Sequence, residues 1–167
     1  MSRIFVIRHA QAEEAVDAAR EGRSEAERHL TELGRRDMRK GVRGLLELQE
    51  ELTLILTSPL KRAAETAAIL HRAYPKAKLQ RHKLLAPGSD PGGLLRSLPE
   101  RTGPMALVGH EPDLSLWIGY MTTGEAHSLA RMKKGSVCRL DLPEPAMAGE
   151  AQIAWLLTLK QLTRFSR

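Results

Sequence analysis

Short apolar runs alternate along this chain with longer stretches in which apolar residues recur every three or four positions. The runs Ile4-Phe5-Val6-Ile7, Leu54-Ile55-Leu56 and Ala106-Leu107-Val108 lack polar alternation, which is the pattern of strands buried on both faces. This patterning predicts strands over Arg3–Ile7, Thr53–Thr57, Lys78–Arg81, Met105–Gly109, Ser136–Leu142 and Gln152–Leu159. It predicts helices over Thr31–Glu50, Pro59–Ala73, Pro91–Leu98 and Pro112–Met121. Alternating strand and helix implies an α/β fold: a three-layer α/β/α sandwich whose central sheet is mostly parallel and covered on both faces. The last two strands, separated by Pro143 to Glu150, predict an antiparallel hairpin at one edge. Ligands of such sheets bind beyond the carboxyl ends of the strands. Glu13 to Arg28, rich in charge and small residues and without an apolar stripe, reads as a mobile loop. It is either a plain surface connection or a segment that helps to select a partner.

Composition narrows the class. With 167 residues and 42% apolar content the chain suits one domain with a real core, spanning 1–167 without a linker. The start is too short in apolar residues for a signal peptide and no run approaches membrane-spanning length, so a cytoplasmic setting with no membrane partner is expected. Cys138 is the sole cysteine, which excludes an internal disulfide and the tetrahedral zinc patterns. It is followed directly by Arg139, so the Cys-x5-Arg loop of cysteine phosphatases is absent and Cys138 reads as a strand residue.

A net charge of +6 raises nucleic acid as a partner. Arg35, Arg36, Arg39, Lys40 and Arg43 form a basic face on the first long helix, opposite Met38, Val42, Leu45 and Leu46. No zinc finger, basic zipper or aromatic RNA-binding motif accompanies that face, and no nucleic-acid partner is expected. Attraction of an acidic phosphoprotein is the more economical use of the charge.

Candidate chemistry gathers at strand ends. Arg8-His9 closes the first apolar run, placing a guanidinium fork that matches phosphoryl oxygens beside an imidazole able to attack phosphorus. Leu54 to Thr66 reads as a strand, a Ser58 cap, Pro59 at the first helical position and an Ala-rich helix, with Ser58, Arg62 and Thr66 on one row. The free N–H groups of that first turn, with Arg62 inside it, suit an anion. Gly109-His110-Glu111-Pro112 puts a second imidazole at another strand end.

Together, Arg8-His9, Ser58-Pro59-x-x-Arg62-x-x-x-Thr66 and Gly109-His110-x-Pro112 resemble the histidine phosphatase superfamily, and their compact spacing is similar to its SixA-type phosphohistidine phosphatases. Leu30-Thr31-x-x-Gly34 also resembles the start of the family's first long helix. The resemblance implies a phosphoglycerate mutase-like fold and a metal-independent phosphatase that needs no cofactor. It implies His9 as the nucleophile that is transiently phosphorylated, with Arg8, Arg62 and His110 around the phosphoryl oxygens. The implied substrate is phosphohistidine or another phosphoprotein, a histidine-phosphotransfer protein among them. A small-molecule phosphomonoesterase and a non-catalytic phosphoprotein-binding module are the alternatives.

The charges are self-consistent with that assignment. Two guanidiniums and an imidazole balance a phosphoryl dianion, and the same positive neighbours are expected to keep His9 neutral and nucleophilic. For the general acid, Asp90 stands on a Pro/Gly loop, yet it equally suits the N-cap of the helix that begins with Pro91. Glu13 is a second candidate. Ala10 stands where the family commonly has Gly, leaving less room for a phosphate, and the Asn of the mutase-like branch is missing near Ala15. The short stretch from Thr66 to His110 implies no inserted helical cap and an open pocket. A metal site built from His9, His110 and Asp90 is a rival reading, opposed by the flanking charges of Arg8 and Arg62.

Overall fold

A computed structural model describes residues 2–48, 50–100 and 103–166. Strands β1 (Ser2–Arg8), β2 (Leu54–Thr57), β3 (Lys78–Arg81), β4 (Met105–Gly109), β5 (Val137–Leu142) and β6 (Gln152–Leu157) form one sheet in the order β3-β2-β4-β1-β5-β6. The first four strands run parallel to one another. At the far edge, β5 lies antiparallel to β1 and forms with β6 the antiparallel hairpin that the sequence predicts.

The unbroken apolar runs become central strands because both of their faces are covered. Ile4, Val6, Leu54, Leu56, Met105 and Leu107 pack on one side, against helices α4 (Pro91–Ser97) and α5 (Asp113–Thr123). Phe5, Ile7, Ile55, Ala106 and Val108 pack on the other, against α2 (Glu32–Glu47), α3 (Lys61–Ala73) and α6 (Leu159–Phe165). Met38, Val42 and Leu45 seat α2 there, each burial stabilising the fold by about 2 kcal/mol. Part of the basic face of the same helix is tied up locally, Arg35 with Glu65 and Glu32, Arg36 with Asp37 and Arg39 with Glu32, in solvent-exposed or partly exposed pairs worth roughly 0.2–1 kcal/mol each. Burial therefore holds α2 in place. Leu46, expected on its apolar face, is exposed instead, because it lies off the stripe that meets the sheet.

Several expectations need correction. The predicted helix over Thr31–Glu50 ends at Glu47, and Gln49 lies outside the described residues. The helix after β2 begins at Lys61 because Leu60 stays extended; Pro59 and Ser58 precede it, so Ser58 does not share a helical row with Arg62 and Thr66. The last strand stops at Leu157, where Thr158 and Gln161 form a capping box that starts α6, and Leu162 of that helix packs into the α2 side of the core. The loop expected over Glu13 to Arg28 contains α1 (Ala15–Arg20) and a 3₁₀ turn at Glu25–Glu27, the latter started by a Ser24/Glu27 capping box. Among the described residues no helix is long and apolar enough to cross a membrane.

Candidate active site

Strand order brings the two imidazoles together. Arg8 is in register with Gly109, and the His9 N–H donates to the Gly109 carbonyl at 3.1 Å, so the chain leaves β1 beside the end of β4. The rings of His9 and His110 stand 5.2 Å apart between centroids, tilted by 54°. On the other side of β4, the Ser58 N–H donates to the Val108 carbonyl at 2.9 Å, which sets the start of α3 and with it Arg62.

Backbone clamps hold this edge. The Ala10 N–H donates to Thr66 Oγ1 (3.0 Å), whose own hydroxyl donates to the Arg62 carbonyl (2.8 Å), tying the β1 exit to α3. Gly135, at φ +74°, donates its N–H to the carbonyls of both Arg8 and His9, each at 3.1 Å, in a conformation that side chains rarely adopt. Thr31 caps α2 by accepting from the Gly34 N–H, and its own N–H reaches the Gln11 carbonyl. A Cβ on Gly34 would stand 2.1 Å from that carbonyl oxygen, which explains the glycine of the Leu30-Thr31-x-x-Gly34 motif. The Ala10 methyl is buried in the core beneath α2 and α3.

The tautomer of His9 follows from its neighbours. Nδ1 lies 2.7 Å from the Ala10 carbonyl oxygen, which can only accept, so Nδ1 carries the proton and Nε2 keeps its lone pair. Arg62 Nε donates toward that lone pair at 3.3 Å. His110 Nε2 shares a 2.8 Å hydrogen bond with Ser58 Oγ, which also accepts from the Leu60 N–H. His110 Nδ1 and Arg8 Nε are buried without a partner among the described residues, while Arg8 Nη1 donates to the Met132 carbonyl at 2.8 Å. Two orphaned polar atoms in the cluster of His9, His110, Arg8 and Arg62 suit a polar ligand.

Burial, more than charge, keeps the imidazoles neutral. His9 is pushed down to about 4, first by burial and then by the charges of Arg62, Arg8 and Lys134, against the opposing pull of the Ala10 carbonyl. His110 is pushed down to about 3 by burial and then by His9, Arg62, Arg8 and Arg28. Protonation removes the Nε2 lone pair of His9, so kcat/KM should hold steady below neutrality and fall only as pH drops through about 4. A pH–rate profile with its acid limb near the ordinary imidazole value of ~6.5 would contradict this.

One contact has no counterpart in the sequence reading. The 3₁₀ turn brings Glu25 onto Arg62: Nη1 donates to the Glu25 carbonyl (2.9 Å) and Nη2 pairs with Oε1 (3.0 Å). Arg28 grips the same carboxylate at 2.8 and 3.0 Å. Glu25 thus holds the two outer nitrogens of the guanidinium, and the Nε side is turned toward His9. The Ser24-x-x-Glu27 capping box was the one local signal that this segment is ordered.

The acid candidates lie elsewhere. Asp90 is the N-cap of α4, accepting from the Gly93 N–H, with Arg96 at 3.5 Å; none of its hydrogen bonds reaches His9, Arg8, Arg62 or His110. Glu13 is held by Arg23 through contacts of 2.7 to 3.1 Å, and those hydrogen bonds lower its pKa, so it is a carboxylate at neutral pH. Among the described residues no three His, Cys, Asp or Glu side chains gather as metal ligands. The stretch from Thr66 to His110 contains the rest of α3, β3, a 3₁₀ turn and the seven-residue α4, which packs in the same layer as α5. Cys138 is buried in β5 and its thiol is pushed up to about 12 by that burial.

A doubly covered, mostly parallel sheet with imidazoles and guanidiniums at its carboxyl edge defines a phosphoglycerate mutase-like α/β/α protein. Comparison with known proteins narrows the class. A model of the histidine phosphatase superfamily (branch 1) matches residues 4–86. An uncharacterized protein of Picosynechococcus sp. is 32% identical over 142 residues, 82% of this chain and 83% of that protein. The structure of the protein histidine phosphatase SixA complexed with tungstate superposes with a TM-score of 0.80 at 22% identity, covering 96% of this chain and 99% of that one. A mycobacterial glucosyl-3-phosphoglycerate phosphatase superposes at 0.67 with 18% identity, covering 95% and 100%. The chain belongs to the histidine phosphatase superfamily, with a SixA-like fold, and phosphatase activity is the coarse function that goes with this membership.

Proposed function

We propose that this protein removes phosphate from phosphorylated protein side chains, phosphohistidine foremost, by carrying the phosphoryl group transiently on His9 Nε2. The observation that carries the reading is the polarity of His9: Nδ1 protonated and committed to the Ala10 carbonyl, Nε2 unprotonated with its lone pair facing Arg62 Nε at 3.3 Å. In the first step the Nε2 lone pair bonds to phosphorus while the bond from phosphorus to the substrate nitrogen breaks. The electron pair leaves with the substrate imidazole, whose far ring nitrogen already carries a proton, so it departs as neutral imidazole. His9 becomes a phosphorylated imidazolium, and its Nδ1–H bond to Ala10 strengthens as the ring gains positive charge. Arg8, Arg62 and His110 spread the charge of the three equatorial oxygens. Water then bonds to phosphorus as the P–Nε2 bond breaks; the electron pair returns to Nε2, the water proton passes to solvent, and inorganic phosphate leaves neutral His9 behind.

Phosphohistidine is favoured because the acid candidates Asp90 and Glu13, and Glu25 beside Arg62, are engaged. Glu25 is clasped by two arginines, Glu13 by Arg23, and Asp90 caps a helix, so none of these three is poised as a proton donor; Glu111, whose charge acts on Arg8, accepts from the Ser115 hydroxyl through Oε2. An alkoxide leaving group needs such a donor, whereas an imidazole leaves as a modest base without one. The structurally similar SixA is described as a protein histidine phosphatase, which agrees with this choice. The net charge of +6 suits an acidic phosphoprotein partner, such as a histidine-phosphotransfer protein, in the cytoplasm.

Turnover measured side by side on a phosphohistidine protein, a phosphoserine peptide and a small aryl phosphate tests the proposal. The highest kcat/KM is expected for phosphohistidine. A higher value for either ester would reassign the chain to the phosphomonoesterases, and no turnover of any of the three would leave only a binding module.

A further inference from the structure

A second cationic site lies along the same edge of the sheet. A cleft of about 360 Å³ opens between the 3₁₀ turn and the start of α3, with Arg23, His29, Lys61 and Arg81 among its walls and Glu27 as its carboxylate. Some of these charges are already neutralised. Arg23 pairs with Glu13 and Glu21 and His29 faces Glu65, while Glu27, anchored by the Ser24 N–H and hydroxyl at 2.8 Å each, keeps its negative charge on the opposite wall. Lys61 and Arg81 are exposed and, among the described residues, have no ion pair or hydrogen bond from their side chains. Two cations on different elements share one cleft, outnumber its single carboxylate and, among the described residues, have no ion pair of their own.

The position of the cleft ties it to the phosphoryl site. Lys61 directly precedes Arg62, and the wall residues Ala26 and Glu27 directly follow Glu25, which grips Arg62. Arg81 ends β3 in register with Thr57 at the end of β2, and the order β3-β2-β4-β1 puts it three strands from His9. At about 4.8 Å per strand that is roughly 14 Å, the reach of about four residues of extended polypeptide.

We infer that this cleft binds carboxylates of an acidic segment flanking the phosphorylated side chain, with Lys61 and Arg81 as their partners. The inference rests on the phosphoprotein reading above and adds the recognition that a small phosphate ester cannot use. Lys61 and Arg81 stand outside the group of residues around His9, so the cleft selects the substrate without taking part in the chemistry.

The test compares the native chain with a Lys61→Glu/Arg81→Glu double variant on two phosphohistidine peptides, one with acidic flanks and one with the corresponding amides, and on an aryl phosphate. The native chain should prefer the acidic peptide by about tenfold in kcat/KM, each exposed charge pair contributing a few-fold. The double variant should lose or invert that preference through KM while keeping its activity on the aryl phosphate within about twofold. An equal loss on the aryl phosphate, or an unchanged preference, overturns the inference. Direct binding of the unphosphorylated acidic peptide, followed by fluorescence anisotropy, separates this inference from the proposed function. Weaker binding by the double variant supports the cleft even if no phosphopeptide is turned over, and equal binding by both proteins sinks it whatever the turnover.

Discussion

Replacing His9 by alanine should reduce kcat by about 10⁴ or more, the scale seen when a covalent nucleophile is removed. Hydrogen bonding to the surviving donors would leave some binding of the phosphoryl group, but no group of comparable nucleophilicity stands in its place. The fold should survive. The side-chain bonds of His9 run to the adjacent Ala10 carbonyl and to Arg62, while the backbone bonds to Gly109 and from Gly135 do not depend on the ring. Rapid acid-free quenching of the native chain should trap acid-labile phosphate on the protein, and the variant should show none. Added imidazole, small enough to enter the vacated space, should restore part of the turnover. Activity of the variant above about one percent, against that expected fall, would remove His9 from the covalent role.

The second large effect is expected at Arg62. Arg62→Lys keeps the charge but loses the planar fork, and with it the geometry that lets Nε face His9 while Nη1 and Nη2 hold Glu25. We expect kcat/KM to fall by about 10² to 10³, the scale of losing one preorganised donor to the reacting oxygens. Thermal stability should change far less, since the ammonium still faces the Glu25 carboxylate and leaves no buried charge alone. Glu25→Gln should act in the same direction and more weakly, chiefly on kcat, because it loosens the guanidinium without removing it. A lysine variant within threefold of the native chain would show that charge alone suffices, against the tenfold or greater value of a fixed fork.

Much of the fold was legible because burial leaves a local trace. Runs such as Ile4-Phe5-Val6-Ile7, short and rich in β-branched and aromatic residues, fit central strands, and the spacing of Met38, Val42 and Leu45 fits one face of a helix. Errors came where two local signals competed. The apolar residues to Leu159 extended the reading of β6 past Thr158, whose capping box with Gln161 starts α6. Ser58 and Pro59 had the chemistry of a helix start, yet Leu60 stays extended and the helix waits until Lys61. Asp90 was suited equally to cap and acid by its residue type, and its hydrogen bond to the Gly93 N–H makes it a cap.

The site divides along the same line. The chemical identity of Arg8, His9, Arg62 and His110, the places of the first two and the last at or just beyond strand ends, and that of Arg62 in a first helical turn, were properties of the chain alone. The grip of Glu25 on Arg62 left no trace across 37 positions. Nor did the cause of the low basicity of His9, which the nearby arginines suggested and burial chiefly supplies. The placing of β1 beside β4, the burial of His9 and the orientation of Arg62 belong to the tertiary structure. Each is set by hydrogen bonds and solvent exclusion between segments far apart in the chain, and the free energy of those contacts exists only once the sheet has closed around them.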